Sequence, residues 1–396
     1  MSYARAKYQN LKKLSLICSL SLQVYYRKSI ITSLSSIKNQ KKPKMKKIYI
    51  ELSDICNLAC SFCPATKAKR GIMGVKDFAH CLKEALHFSR HIALHILGDP
   101  CALENLGEYL NIARKIGLEL NKTPKIDIVT SGAFFGKHTV DMLLSPPIFQ
   151  LSISLEAGVD NFFKKILPKN DFANIDFGKN GVASGDFCEV RQNPSQKSSL
   201  KRFSAYLDSI IALLCAHKAN PQIFLNLRIQ DLRTLRDKTA LCVICGYLAP
   251  LVDFDFLSRQ SGKSIATIKE AFLEGNIDFL LDIKGRIRLW EKAFLVVKHS
   301  FVWAGFDNKN GKTNGSKNLK HHKYHKCYAL TQQVGILSNG IVVPCCIDGQ
   351  GEINLGNVFE TPLKQILDCA RARNIIEGFR LGEAREELCR SCGFWE

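Results

Sequence analysis

Cys56, Cys60 and Cys63 stand in Cys56-Asn57-Leu58-Ala59-Cys60-Ser61-Phe62-Cys63, directly after the strand-like run 48–52. Three soft thiolates on one short loop are suited to an iron-sulfur cluster, which ordinarily takes four cysteine ligands. A cluster held by three would keep one iron open to a substrate or cofactor. The competing reading is three unrelated buried thiols.

The elements that must position this loop follow from the periodicity downstream. Apolar strand-like runs at 48–53, 91–97, 125–131, 150–156, 222–230 and 293–303 alternate with helix-like segments, among them 75–88, 103–116 and 206–216. Apolar residues recur at three and four positions in the latter. This alternation predicts an α/β fold with a parallel sheet or barrel covered by helices, and functional groups gathered at the C-terminal ends of the strands.

The C-x3-C-x2-C spacing, the aromatic Phe62 before the third cysteine and the position at the start of a β/α pattern resemble the radical S-adenosylmethionine (radical SAM) superfamily. The resemblance implies a partial (β/α)6 TIM-type barrel. It also implies a 4Fe-4S cluster on Cys56, Cys60 and Cys63, whose fourth iron is chelated by S-adenosylmethionine. Leu97-Gly98-Asp99-Pro100 falls where the family has a Gly-Gly-Glu-Pro segment contacting the cofactor's amino group. Leu97 replaces the first glycine and Asp99 shortens the acid; a plain strand-ending turn is the alternative. Gly98 permits close backbone approach, and Pro100 holds Asp99 extended. Polar residues at the fourth strand's end line the cofactor pocket in relatives, which makes Ser154 and Glu156 candidates; alternation places Ser152, Ser154 and Glu156 on one face. Arg228 on the fifth strand could take a carboxylate in its bidentate fork, or be a structurally paired or solvated arginine.

Cys327, Cys345, Cys346, Cys389 and Cys392 crowd the last seventy residues, around the segments 340–348 and 355–358. This pattern resembles the SPASM or twitch type of auxiliary-cluster domain: a cysteine, a hairpin ending in Pro-Cys, a Gly-Asn turn and a terminal Cys-x2-Cys. It implies Cys327, Cys345, Cys389 and Cys392 as ligands of a second, auxiliary 4Fe-4S cluster. Cys346 and Cys369 do not complete a third set. On spacing alone a tetrahedral zinc site competes. Cys242 and Cys245 have redox-motif spacing but lie in an apolar run, and are read as core thiols.

The chain has 396 residues, enough for two domains. Its sixteen cysteines are not spaced as a secreted disulfide framework, so a reducing, cytoplasmic setting is expected. The formal charge of +20 is weak evidence for a nucleic-acid partner. Residues 1–50 hold twelve of the basic residues and no acidic one, so more than half of the excess is local. The apolar stretch 14–26 is too short to span a bilayer and lacks a small-x-small cleavage site. Segment 1–44 also fits an organellar transit peptide, but Met45, eleven residues before Cys56, favours an unstructured extension. The expected division is therefore 1–44 extension, 45–306 barrel, 307–326 polar linker and 327–396 cysteine-rich auxiliary domain. The polar stretch 168–202 is expected to be a long loop, and 233–289 to contain amphipathic helices.

The resemblance implies an enzyme that reductively cleaves S-adenosylmethionine to a 5'-deoxyadenosyl radical and abstracts hydrogen from a peptide or protein side chain. A reducing donor such as flavodoxin or ferredoxin would serve it, and no membrane association is expected. The alternatives are a radical SAM enzyme of small-molecule, nucleotide or cofactor biosynthesis, and a zinc-dependent nucleic-acid-binding module.

Overall fold

A computed structural model describes residues 45–56, 58, 60, 63–64, 70–155, 194–230, 244–276, 278–282, 284–298 and 327–394. The expectations for segments 1–44 and 307–326, and for Glu156, Cys242 and Phe62, lie outside the described residues.

The six expected strands are present as β1 (Lys47–Ile50), β2 (His91–Ala93), β3 (Lys125–Thr130), β4 (Ile148–Ser154), β5 (Phe224–Gln230) and β7 (Ala293–Lys298). They pair in parallel in that order. Three more strands complete one nine-stranded sheet, ordered β6-β7-β5-β4-β3-β2-β1-β8-β9. Strand β6 (Arg286–Trp290) runs antiparallel to β7 on one edge. At the other edge β8 (Gln333–Ile336) continues the parallel sheet beside β1, and β9 (Val342–Val343) returns antiparallel to it. The cysteine-rich segment thus covers the β1 edge, whose backbone groups would otherwise be unpaired.

The helices bury the stripes that periodicity predicts. Helix α1 (Val75–Ala85) buries Phe78, Cys81, Leu82 and Ala85, and α2 (Leu106–Glu119) buries Leu106, Tyr109, Leu110, Ala113 and Ile116. They pack on the face of the sheet that carries Ile48, Ile50, Ile92 and Ile126. The opposite face carries Lys47, Tyr49, Asp127, Ser152 and Arg228, so the barrel interior is polar. Helix α3 (Pro194–Ala219) leads into β5, while α4 (Phe254–Ser261) and α5 (Ile265–Leu273) precede β6. The C-terminal segment adds α6 (Ala370–Arg380) and α7 (Glu387–Arg390).

Some expectations are corrected. The stretch expected as a loop to residue 202 is helical from Pro194, where proline is well placed at a helix start. Residues 286–290, assigned to a helical region, form an edge strand in which Arg286 and Arg288 alternate with Ile287 and Leu289. Helix α2 begins at Leu106 rather than 103, because Asp99 caps a short 3-10 turn at Pro100–Ala102 and displaces the helix start. Among the described residues, no helix is long and apolar enough to cross a membrane.

Candidate active site at the strand ends

Past β1, two acids close the base of the thiol loop. Asp54 accepts from the backbone N–H of Arg70 at 2.7 Å and of Gly71 at 3.0 Å. Glu51, fully buried, receives the Arg70 guanidinium through contacts of 2.9, 3.0 and 3.1 Å. Its carboxylate also accepts from Leu97 N–H at 3.2 Å and Ser338 N–H at 3.1 Å. One side chain therefore joins the thiol loop, the end of β2 and the β8–β9 turn. Burial pushes the Glu51 carboxyl up, and Arg70 is the largest influence pulling it down. Sequence reasoning missed Glu51 and Arg70; an acid immediately following an apolar strand was the available signal.

Within that loop Cys56, Cys60 and Cys63 are half-buried, and Cys63 N–H donates to the Cys60 carbonyl at 3.1 Å. Burial, then the nearby Asp99, Cys60 and Cys63, push Cys56 up to about 12. Burial also raises Cys63. No three of the described His, Cys, Asp and Glu side chains form a closed ligand set. The three thiols are nevertheless close enough to influence one another electrostatically. Desolvated thiols of this kind ionise only when a cation compensates them, which suits a soft metal cluster.

Gly98 makes its close approach to the chain itself: a Cβ there would stand 1.9 Å from the Ser53 carbonyl oxygen. Asp99 is buried, and its carboxylate is occupied within the protein. Oδ1 accepts from Cys101 N–H at 3.0 Å. Oδ2 accepts from Thr130 Oγ1 at 3.0 Å and from Ser131 N–H and Oγ at 2.8 Å each. Burial pushes this carboxyl up, and these donors pull it back. Asp99 thereby ties the end of β2 to the end of β3. Ser154 and Arg228 are register partners across β4 and β5. The buried Nε of Arg228 has no hydrogen-bond partner among the described residues. An Nε donor left open beside a serine at the strand ends could take a carboxylate.

Deeper in the barrel, Lys47 and Asp127 form an ion pair, and the Tyr49 and His95 rings meet edge to face at 5.7 Å. His95 Nδ1 and Asp127 Oδ1 are buried without partners among the described residues. Burial, with Arg228 and Lys47 nearby, lowers His95 to about 3, so its ring is neutral at physiological pH.

The C-terminal thiols also converge. Burial is the main cause that lifts Cys327 and Cys389 to about 12; Cys392 adds to both, and Cys327 also acts on Cys389. Cys345 is raised by burial and by Cys346 and Cys327. Cys327 Sγ accepts from Ala329 N–H at 3.3 Å. Cys369 caps α6 by accepting from Ala372 N–H, which gives it a structural role apart from this group. Arg371 of α6 grips Glu386, the residue before α7, at 2.9 and 2.8 Å, and so holds the helix that carries Cys389. Cys245 is buried in the core, as expected of a structural thiol.

Comparison with known proteins decides between iron-sulfur and zinc chemistry. A family model described as the radical SAM superfamily matches residues 50–176, and one described as an iron-sulfur cluster-binding domain, SPASM, matches residues 327–393. The chain is an enzyme that carries a radical SAM domain and a SPASM domain. The two domains imply 4Fe-4S clusters, and the first implies S-adenosylmethionine. A search of curated proteins returned no match. Among solved structures, this radical SAM chain is similar to BtrN in complex with AdoMet and 2-DOIA. The identity is 13%, with 88% of this chain and 92% of that one covered and a TM-score of 0.44. It is also similar to Streptococcus suis SuiB bound to precursor peptide SuiA, at 15% identity, 89% and 70% coverage and a TM-score of 0.44. A third is anSMEcpe with AdoMet and the Cp18Cys peptide, at 16% identity, 88% coverage of each chain and a TM-score of 0.37.

Proposed function

We propose that this radical SAM enzyme abstracts hydrogen from a peptide or protein side chain, using Cys56, Cys60 and Cys63 for the catalytic cluster and Cys327, Cys345, Cys389 and Cys392 for an auxiliary one. The observation that carries the cofactor assignment is the buried Arg228 Nε, which has no partner among the described residues and lies at the strand ends on the barrel face that also carries Ser154. Arg228 and Ser154 bind the carboxylate of S-adenosylmethionine, and Gly98 and Asp99 shape the turn on the side of its amino group. Glu156 is the remaining candidate for this pocket. When bound, cluster and cofactor supply reductive cleavage of the sulfonium carbon–sulfur bond, and hence a 5'-deoxyadenosyl radical. The protein would bind, orient and shield the cofactor: Glu51 and Asp54 hold the thiol loop closed, while Asp99 fixes two strand ends together.

The peptide substrate rests on the SPASM domain, since proteins with such domains commonly modify peptides. A low-potential donor such as flavodoxin or ferredoxin is the electron source, and the cytoplasm is the setting. The experiment is anaerobic reconstitution, with iron and sulfide counted and reductant-dependent release of 5'-deoxyadenosine measured. About eight irons per chain with cleavage is the expected result, and Cys60→Ser abolishes cleavage. Normal cleavage by Cys60→Ser overturns the ligand assignment. Turnover of nucleotides but not of peptides in a candidate screen overturns the substrate class.

A further inference from the structure

The barrel interior is floored and lined but not filled. Near the strand starts the rings of His91 and Phe149 meet at 5.3 Å and those of Phe149 and Phe224 at 5.2 Å, with Lys125 Nζ 4.5 Å over Phe149. These residues lie at or next to the first positions of β2 to β5, so their layer closes the N-terminal end. Above it, Tyr49, His95, Asn226 and Arg228 on the inner face are only half-buried, while their outward neighbours Ile48, Leu94, Leu225 and Leu227 are buried. Layers of side chains usually fill such a barrel. Here space remains, and it opens toward the strand ends.

Register orders the polar groups by depth. Ser154 and Arg228 pair nearest the mouth, Ser152 and Asn226 come next, and Gln150 and Asp127 lie deeper. Successive same-face levels are about 7 Å apart along a strand. His95 stands two residues past Ala93, the register partner of Asp127, and Leu94 N–H donates to the Asp127 carbonyl at 3.0 Å. The His95 ring, against Tyr49 at 5.7 Å, therefore enters between the Arg228 and Asp127 levels. Other groups here spend their hydrogen bonds on one another. Ser152 Oγ accepts from Gln150 Nε2 at 3.4 Å and from Asn226 Nδ2 at 3.3 Å, and Asp127 Oδ2 pairs with Lys47. Below Arg228, His95 Nδ1 and Asp127 Oδ1 are left buried with no partner among the described residues, on an aspartate whose side chain is 5% exposed.

Buried polar atoms in native folds are nearly always satisfied, so this pair calls for an occupant. A carboxylate oxygen only accepts, and the group that meets Asp127 must carry an O–H or N–H. Lys47 already balances Asp127, and the His95 ring is neutral. A further ion would be buried there without a counter-charge, at high cost. We infer that His95 and Asp127 are specificity-determining contacts for the substrate, taking from it a neutral side chain that donates a hydrogen bond, a hydroxyl or a carboxamide. This rests on the reading that a peptide side chain enters the barrel beneath the cofactor.

The test is ring-nitrogen NMR of the full chain labelled with 15N-histidine and reconstituted with iron, sulfide and S-adenosylmethionine without reductant. The His95 resonances are assigned by their absence in His95→Asn. Propionamide and 1-propanol are expected to move His95 Nδ1 saturably, whereas propionate and propylammonium leave it in place. Asp127→Asn is expected to weaken the propionamide response by about tenfold or more. No movement with any probe, an equal response to the charged probes, or unchanged propionamide affinity in Asp127→Asn overturns the inference. Should Asp127→Asn not fold, the contrast between neutral and charged probes on the wild-type chain decides. Binding is read here without turnover, so failure of the peptide reading shows separately, as turnover of nucleotides but not of peptides.

Discussion

Arg70 lies sixteen residues beyond Asp54, yet its guanidinium closes on the fully buried Glu51 at 2.9 Å, with both side chains withdrawn from solvent. Leu97 and Ser338 add backbone donors to the same carboxylate. Breaking a buried pair by removing one partner leaves an uncompensated charge, which costs about 3 kcal/mol. Arg70→Ala is expected to lose about that much unfolding free energy in denaturant titrations and to retain less iron after reconstitution. Wild-type stability in this variant would mean that the pair does not hold the loop.

Gly98 offers a steric test. With a methyl group placed 1.9 Å from the Ser53 carbonyl oxygen, the ends of β1 and β2 must separate, because the obstructing atom is backbone. Gly98→Ala is expected to destabilise the fold by about 3 kcal/mol or more. Unfolding curves superimposable on wild type would refute the close approach.

Arg228 tests the cofactor reading. A hydrogen bond to a charged group is worth roughly 1.5–3 kcal/mol, so Arg228→Gln should weaken S-adenosylmethionine binding about ten- to hundredfold in the reconstituted enzyme. Calorimetric titration measures this directly. Unchanged affinity would leave Arg228 a structural residue.

Glu386 gives a pH signature. The Arg371 hydrogen bonds hold its carboxyl below the ordinary 4.5. A depressed folded value means that the pair's stabilisation is present above pH 4.5 and fades as pH falls through the folded value. Because Arg371 is 42% exposed, screening limits the effect to about 1 kcal/mol or less. The stability gap between wild type and Glu386→Gln should be open at pH 7 and close as the pH falls from 4.5 through the folded value. A gap independent of pH would assign the effect to packing instead.

Much of this enzyme is written locally. Ligand spacing such as that of Cys56, Cys60 and Cys63 is read from one loop, because residues within a few positions of one another cannot move far apart. Strand and helix stripes are equally local, since alternation and the three-to-four repeat follow from backbone geometry. The edge strand at 286–290 does alternate as a strand should, but over only five residues, too short a run to stand out from the amphipathic helical pattern before it.

The thiol triplet, the six parallel strands and the cysteine-rich end were determined by the sequence itself. Only the tertiary structure brought Ser338 to Glu51, nearly three hundred residues apart in the chain. It also spent the Asp99 carboxylate on Thr130 and Ser131 while leaving the Arg228 Nε without a partner among the described residues. The physical reason is that a buried polar group must be satisfied by whatever the fold places beside it, and those neighbours come from loops that the sheet brings together from distant parts of the chain.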